Sequence, residues 1–302
     1  MMQQDYLIAD HRIRLEGDRL VAALGAIDGF DVFRVAAARE PLCRFTEAPF
    51  AADRTLLSGD ATRWPGLDRV LYTNEVEGVR SCFGTRTGGG YVFGMVSDRG
   101  QALQVDLAPD GRTAQFSGDF CERLLRFSCW IAYGVAAAPH RTVAVHTSTI
   151  RYDGRAVLFL GESGTGKSTH TRLWREHIAG AALLNDDSPI LRILDGRRPL
   201  VYGSPWSGKT PCYKNECFPL AACVRLSQAP YNRIERLGIS AGYAALHPSC
   251  PPEFAYDEPL YDCVSGFLSD ILSVVPVYHL ACLPDADAAR LSCQTIFGPC
   301  AK

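Results

Sequence analysis

Fifteen residues, Val157 to Thr171 (VLFLGESGTGKSTHT), constrain this chain more than any other stretch. They place a short apolar run, a glycine-rich loop and a helix start in immediate succession. The loop Gly161-Glu162-Ser163-Gly164-Thr165-Gly166-Lys167-Ser168 satisfies G-x-x-x-x-G-K-[ST] at every position. A polyphosphate needs several backbone N–H groups aimed at it from close range, which requires glycine where a side chain would block the approach or φ must be positive. Gly161, Gly164 and Gly166 meet that requirement. Thr169 to His177 contains neither Gly nor Pro and predicts a helix whose N-terminal N–H groups and dipole face the same anion. Lys167 is then placed to reach β- and γ-phosphates, and the Ser168 hydroxyl to ligate Mg²⁺. The expectation is a nucleoside triphosphate site built from Gly161, Glu162, Ser163, Gly164, Thr165, Gly166, Lys167, Ser168 and Thr169, with ATP and Mg²⁺ as its occupants. A chance match is the alternative, and the flanks argue against it. Val157-Leu158-Phe159-Leu160 is bounded by Gly154 and Gly161, as a buried parallel strand would be.

Composition limits the partners. A chain of 302 residues with 47% hydrophobic and 21% charged residues is globular in character and long enough for one large or two ordinary domains. Its 31 Lys and Arg against 33 Asp and Glu, a net charge of -2, give no general attraction to nucleic acid or anionic lipid. The first residues, MMQQDYLIAD, show neither a basic n-region nor an apolar h-region, so no secretory leader is expected. The apolar stretch Trp130 to Pro139 is about half the length of a membrane span. A soluble, cytoplasmic protein that binds neither nucleic acid nor membrane is the expectation. The 12 cysteines are scattered and include no C-x-x-C pair, which predicts reduced, mostly buried thiols and no zinc site.

Along the chain, Tyr6 to Phe50 reads as irregular, with FDVFRVA (Phe30 to Ala36) as a strand candidate. Between Val70 and Phe116, apolar runs at Val92 to Val96, Leu103 to Leu107 and Thr113 to Phe116 are separated by Asp98-Arg99-Gly100 and Pro109-Asp110-Gly111. That pattern predicts an antiparallel meander with Tyr91, Phe93 and Phe116 in its core. Asp119 followed by Glu122 resembles a helix cap, and the apolar spacing from Phe120 to Val135 predicts a helix ending before Pro139. A domain boundary is placed near residue 118, giving domains 1–118 and 119–302. Thr142 to Val145 predicts a strand, and Tyr152-Asp153-Gly154 a hairpin turn into the phosphate-loop strand.

Ala181 to Leu184 predicts a short strand running into Asn185-Asp186-Asp187-Ser188. Adjacent carboxylates at a strand end are costly unless a cation holds them, and Mg²⁺ is the cation a triphosphate brings; a solvated Asp-Asp turn is the plain alternative. The segment Gly203-Ser204-Pro205-Trp206-Ser207-Gly208-Lys209-Thr210-Pro211 reads either as a functional loop that brings Lys209 to a phosphate or as a surface loop. Strands are expected over Ala221 to Leu226 and Pro276 to Leu280, mostly helix over 231–273, and an amphipathic helix over Pro284 to Ser292.

His146-Thr147, Gly161 to Ser168 and Asp186-Asp187, at these separations, resemble the catalytic domain of the HPr kinase/phosphorylase family, relatives of the phosphoenolpyruvate carboxykinases. The resemblance spans roughly residues 140 to 226. Together with the meander it gives the expected α/β architecture: an N-terminal β-rich domain followed by an HPr-kinase/PEP-carboxykinase-like mixed α/β P-loop domain, the latter implied by the resemblance. It further implies that Lys167 positions the γ-phosphate, Ser168 and Asp186 hold Mg²⁺, and Asp187 is general base toward a hydroxyl. His146, fifteen residues before Gly161, is implied to belong to the active site. The family's E-x-R-G-x-G-type stretch has no counterpart; Gly203 to Lys209 stands in its place, and Lys209 is the candidate for the contact so lost. Nor is the family's C-terminal dephosphorylation motif recognisable in Pro276 to Lys302. The expected activity is therefore ATP- and Mg²⁺-dependent transfer to a hydroxyl, serine first, on an unknown protein, peptide or small molecule. Self-association is implied as well. A carboxykinase-like phosphotransferase and a non-enzymatic nucleotide-dependent switch are the alternatives.

Overall fold

The computed structural model describes every residue except 38–39, 50–65, 195–197, 209 and 300–302. It is a mixed α/β protein with two large mixed sheets and, among the described residues, six α-helices. The chain divides into two compact units, Met1–His140 with Pro252–Tyr261, and Arg141–Pro251 with Asp262–Lys302.

In the first unit, β1 (Gln3–Ile8) and β2 (His11–Glu16) form an antiparallel hairpin. β2 alternates buried His11, Ile13 and Leu15 with Arg12, Arg14 and Glu16, the period-two signature of a half-buried strand. Arg12 and Arg14 close at 3.0 and 2.8 Å on the buried Asp5 carboxylate of β1. α1 (Asp18–Gly25), β3 (Arg34–Val35) and β4 (Cys43–Glu47) follow. This order replaces the irregular reading of Tyr6 to Phe50; of FDVFRVA, only Arg34 and Val35 are strand, behind a 3₁₀ turn at Asp31–Phe33. The meander is present as β5 (Arg69–Val76), β6 (Val79–Thr85), β7 (Tyr91–Ser97), β8 (Ala102–Leu107) and β9 (Thr113–Gly118), each antiparallel to the next. The sheet order is β3-β1-β2-β4-β9-β8-β7-β6-β5, with β4 parallel to both its neighbours. Phe93 and Phe116 are fully buried, whereas Tyr91 reaches partly outward and its hydroxyl donates to Asp257 at 2.9 Å.

α2 (Glu122–Ala137) packs on β7 and β8 with Leu124, Leu125, Ile131 and Ala132 buried. The boundary expected at residue 118 would assign it to the second domain; its apolar face instead groups it with the first unit, which runs to His140. Asp119 is not its cap. The helix starts after Cys121, and the Asp119 carboxylate accepts from the Ala102 N–H at 3.0 Å, holding β8 instead.

The 3₁₀ turn Pro252–Tyr256 carries Glu253, which is 1% exposed, with Oε2 lacking a hydrogen-bond partner among the described residues. Burial pushes its carboxyl up to about 7 from an ordinary 4.5. The folded protein therefore binds more protons than the unfolded chain between those values, so this group's contribution is full below pH 4.5, is lost as pH rises through 7, and is level above it. Glu253→Gln should flatten that slope, stabilising the protein at pH 8 by up to about 3 kcal/mol relative to pH 4.5. Urea unfolding of parent and variant at both pH values checks this; parallel pH profiles would overturn it.

The second unit contains β10 (Thr142–Ala144), β11 (Thr147–Tyr152), β12 (Arg155–Leu160), α3 (Lys167–His177), β13 (Ala182–Asp187), β14 (Ile190–Arg192), β15 (Leu200–Tyr202), β16 (Cys217–Gln228), β17 (Arg233–Arg236), α4 (Ile239–Leu246), α5 (Glu258–Val274, counted here from Asp262), β18 (Val277–Cys282) and α6 (Ala286–Phe297). The order β10-β14-β15-β16-β12-β11-β13 is organised on the long strand β16, which pairs antiparallel with β15, then parallel with β12, then parallel with β18. β11 and β12 join through Asp153 and Gly154, both at positive φ as an Asp-Gly hairpin requires. Residues 231–273 are mostly helical as expected, in α4, α5 and two 3₁₀ turns, but Arg233–Arg236 is a strand that pairs with β18. Four residues with two arginines and a glutamate are too few to show apolar alternation; Ile234 alone packs partly against the core, and backbone pairing makes the strand.

Val157 to Leu160 on β12 and Ala222 to Val224 on β16 have no exposed surface, as suits strands covered on both faces. α3 covers this core with His170, Leu173 and Trp174, a stripe at three- and four-residue steps. The His170 ring, pushed down to about 4 by burial, meets Ser292 of α6 at 3.1 Å and accepts from the Trp174 indole at 3.2 Å. It is a neutral packing residue that fixes α3. Burial likewise pushes the thiols of Cys43, Cys223 and Cys250 up to about 12, which makes them poor nucleophiles. Among the described residues no helix is long and apolar enough to cross a membrane.

Candidate functional site

β12 ends at Leu160 and α3 begins at Lys167, so the glycine-rich segment is the connection between a central strand and a helix start. Gly161 has φ +153°, and a Cβ there would meet the Thr165 side chain at 3.0 Å. Gly166, the residue before α3, is left-handed at φ +106°. Among the described residues no side-chain hydrogen bond caps the start of α3, where helix N–H groups have no partner within the helix itself. The Lys167 ammonium donates to the carbonyls of Gly161 at 2.7 Å and Glu162 at 3.2 Å, folding over the loop. Partial burial pushes its pKa down, against the pull of Asp187 and Asp186.

The aspartates lie within β13 rather than beyond it. β13 pairs with β11 so that Ser148 faces Asp186 and Thr147 faces Asp187, which brings His146, the residue before β11, beside Asp187. His146 Nδ1 is 3.6 Å from Asp187 Oδ1. Consecutive strand residues point to opposite faces, but Asp187 has φ +131° and leaves strand geometry there, so that both carboxylates act on Lys167. The Ser168 hydroxyl at the start of α3 is 3.3 Å from each oxygen of the buried Asp186 carboxylate. Desolvation raises the pKa of Asp187, which makes it a stronger base than an ordinary aspartate; His146 and Lys167 pull the other way. Lost hydration also lowers His146, outweighing the attraction of Asp187.

The end of β13 is stitched to the loop that follows β15. The Gly208 N–H donates to the Asp186 carbonyl at 2.6 Å, and Asp187 forms an isolated bridge with Ser207. A Cβ at Gly208 would stand 3.1 Å from that of Asp187. Asn185 donates to the Trp206 carbonyl at 3.0 Å and accepts from the Ser188 N–H at 2.9 Å, while the Ser204 hydroxyl donates to the Ser188 carbonyl at 2.6 Å. Ser204 and Trp206 are thus buried supports for the aspartates, where the sequence suggested a phosphate loop or a surface loop. Lys209 lies outside the described residues. Asn185 and Gly208 entered the sequence reading only as members of their segments, and Glu162 only as a member of the phosphate loop; Arg225 and its pairing with Glu162 carried no signal there.

Among the described residues no group of three or more His, Cys, Asp and Glu side chains could hold a metal. Ser168 and Asp186 offer one hydroxyl and one carboxylate. That sparse donor set suits Mg²⁺, which keeps several waters and takes few protein ligands beside phosphate oxygens, and does not suit Zn²⁺. No family model matches the chain, and no curated protein matches it.

Proposed function

We propose that this chain is an ATP- and Mg²⁺-dependent phosphotransferase of the HPr-kinase-like type, transferring the γ-phosphate to a hydroxyl, serine first, on a protein, peptide or small molecule. The observation that carries the reading is the convergence on one strand end of Ser168, Asp186, Asp187 and His146 beside the Lys167 loop. Lys167 and the α3 N-terminus bind and orient the triphosphate. Ser168 and Asp186 would hold Mg²⁺, which would supply neutralising positive charge to the triphosphate. Asp187 accepts the proton of the acceptor hydroxyl. The hydroxyl oxygen bonds to the γ-phosphorus as the bond from that phosphorus to the β–γ bridging oxygen breaks, and its electron pair leaves with ADP. His146 orients Asp187 and tempers its basicity. Lys209 is proposed from the sequence as a further contact to phosphate or acceptor.

Incubation of the full chain with γ-labelled ATP and cell extract tests the reading: label should appear on an acceptor only in the presence of Mg²⁺. Binding of MgATP without transfer to any acceptor would overturn the kinase and leave a nucleotide-dependent switch. Asp186→Asn separates the metal role from the rest. It should reduce the Mg²⁺-dependent gain in ATP affinity by about tenfold, the worth of one charge-assisted contact, while metal-free ATP binding is unchanged or tighter. Equal Mg²⁺ dependence in parent and variant, by titration calorimetry, would remove Asp186 from the metal site.

A further inference from the structure

The C-terminal half of β16 runs parallel to β12 with Arg225 opposite Leu160, the last residue before the glycine loop. This register places a guanidinium at the mouth of the loop without any signal in the motif itself. Its Nη2 is 3.4 Å from Glu162 Oε1, and its Nη1 is 3.5 Å from the Ala245 carbonyl in the last turn of α4, where the helix dipole favours a cation. Three residues on, the Gln228 amide donates to the Gly164 carbonyl at 3.3 Å. One strand therefore touches the loop at two points, with a charge at one and a neutral amide at the other.

The two members of the ion pair are unequally held. The Arg225 side chain is 27% exposed, the Glu162 side chain 83%. A carboxylate so exposed contributes at most about fivefold to an equilibrium and is released at little cost. A phosphate oxygen offers the planar guanidinium a denser charge and better-matched fork geometry.

We propose that Arg225 is a second cation of the phosphate site, binding a phosphate oxygen of the nucleotide in exchange for Glu162, whose carboxylate competes with the nucleotide and lowers its affinity. The inference rests on reading Gly161–Ser168 as a triphosphate loop. It assigns Glu162 opposing parts: its backbone belongs to the loop, and its side chain restrains occupancy.

A mutant cycle on the full chain tests it, with MgATP and inorganic tripolyphosphate as calorimetric probes. Arg225→Gln should weaken both by about tenfold or more, the loss of a charge-assisted hydrogen bond. Glu162→Gln should tighten both by about two- to fivefold in the parent and leave the Arg225→Gln background unchanged, because the competitor acts through Arg225. Thermal melting reports whether Arg225→Gln folds; if it does not, Arg225→Lys supplies the second background, where the charge remains without the fork and affinity should be intermediate. Parent-like binding by the Arg225 variant, or tightening by Glu162→Gln of equal size in both backgrounds, overturns the proposal. A parent that binds neither probe instead overturns the triphosphate reading on which it stands.

Discussion

Asp187→Asn should lower phosphoryl transfer by about 10²- to 10⁴-fold while MgATP affinity stays within about threefold of the parent. The asymmetry follows from where the two aspartates sit. Asp186 is buried against Ser168 at the helix start, whereas the partly exposed Asp187 side chain is turned away from strand geometry toward His146 and Lys167. Desolvation gives Asp187 a raised pKa, and a carboxylate that holds a proton better also removes one better from a hydroxyl. Asparagine is the informative substitution for two reasons. It keeps the side chain's size, and it has the same unbranched Cβ and shape as the aspartate that already adopts φ +131°, so that the link to Ser207 and Gly208 persists. The variant loses the ability to accept a proton and little else. Transfer and MgATP affinity measured on one preparation decide the matter; parent-rate transfer by the variant would remove Asp187 as the base.

Much of the site was readable because local rules dominate it. A loop of this composition between an apolar run and a glycine-free segment fixes strand, turn and helix start within fifteen residues, and the Asp-Gly turn at Asp153-Gly154 marks the hairpin that feeds it. The meander was readable for the same reason: its turns and alternation are local. What escaped reading depends on partners distant in sequence. Arg225 reaches the loop only because β16 lies beside β12, and Asn185 is a support only because Ser204 and Trp206 come back to it. Asp119 was misread as a cap because its signal is purely local, while its actual partner, the Ala102 N–H, is supplied by the neighbouring strand. β17 escaped because a single apolar residue, Ile234, marks its core side, and one residue gives no period to read.

Lys167→Ala should abolish the stabilisation of the protein by MgATP. At a ligand concentration about 100-fold above the dissociation constant, binding to the folded state contributes about 2.7 kcal/mol, a rise in Tm of roughly 5 °C. The Lys167 ammonium is the cation the loop itself supplies, held over it by the carbonyls of Gly161 and Glu162. Nucleotide phosphates would replace those carbonyls as its partners, and alanine offers them nothing. The substitution costs the protein without nucleotide little, because the charge is already penalised by burial, as its lowered pKa records, and alanine is the best helix former at the start of α3. The readout is accordingly the difference in Tm with and without MgATP, rather than either Tm alone. A parent shift that vanishes in the variant, with the two melting curves otherwise alike, places the β- and γ-phosphates under Lys167. Persistence of the full shift would mean that the triphosphate is held elsewhere, and the base assigned to Asp187 and the exchange assigned to Arg225 would then lose their common anchor.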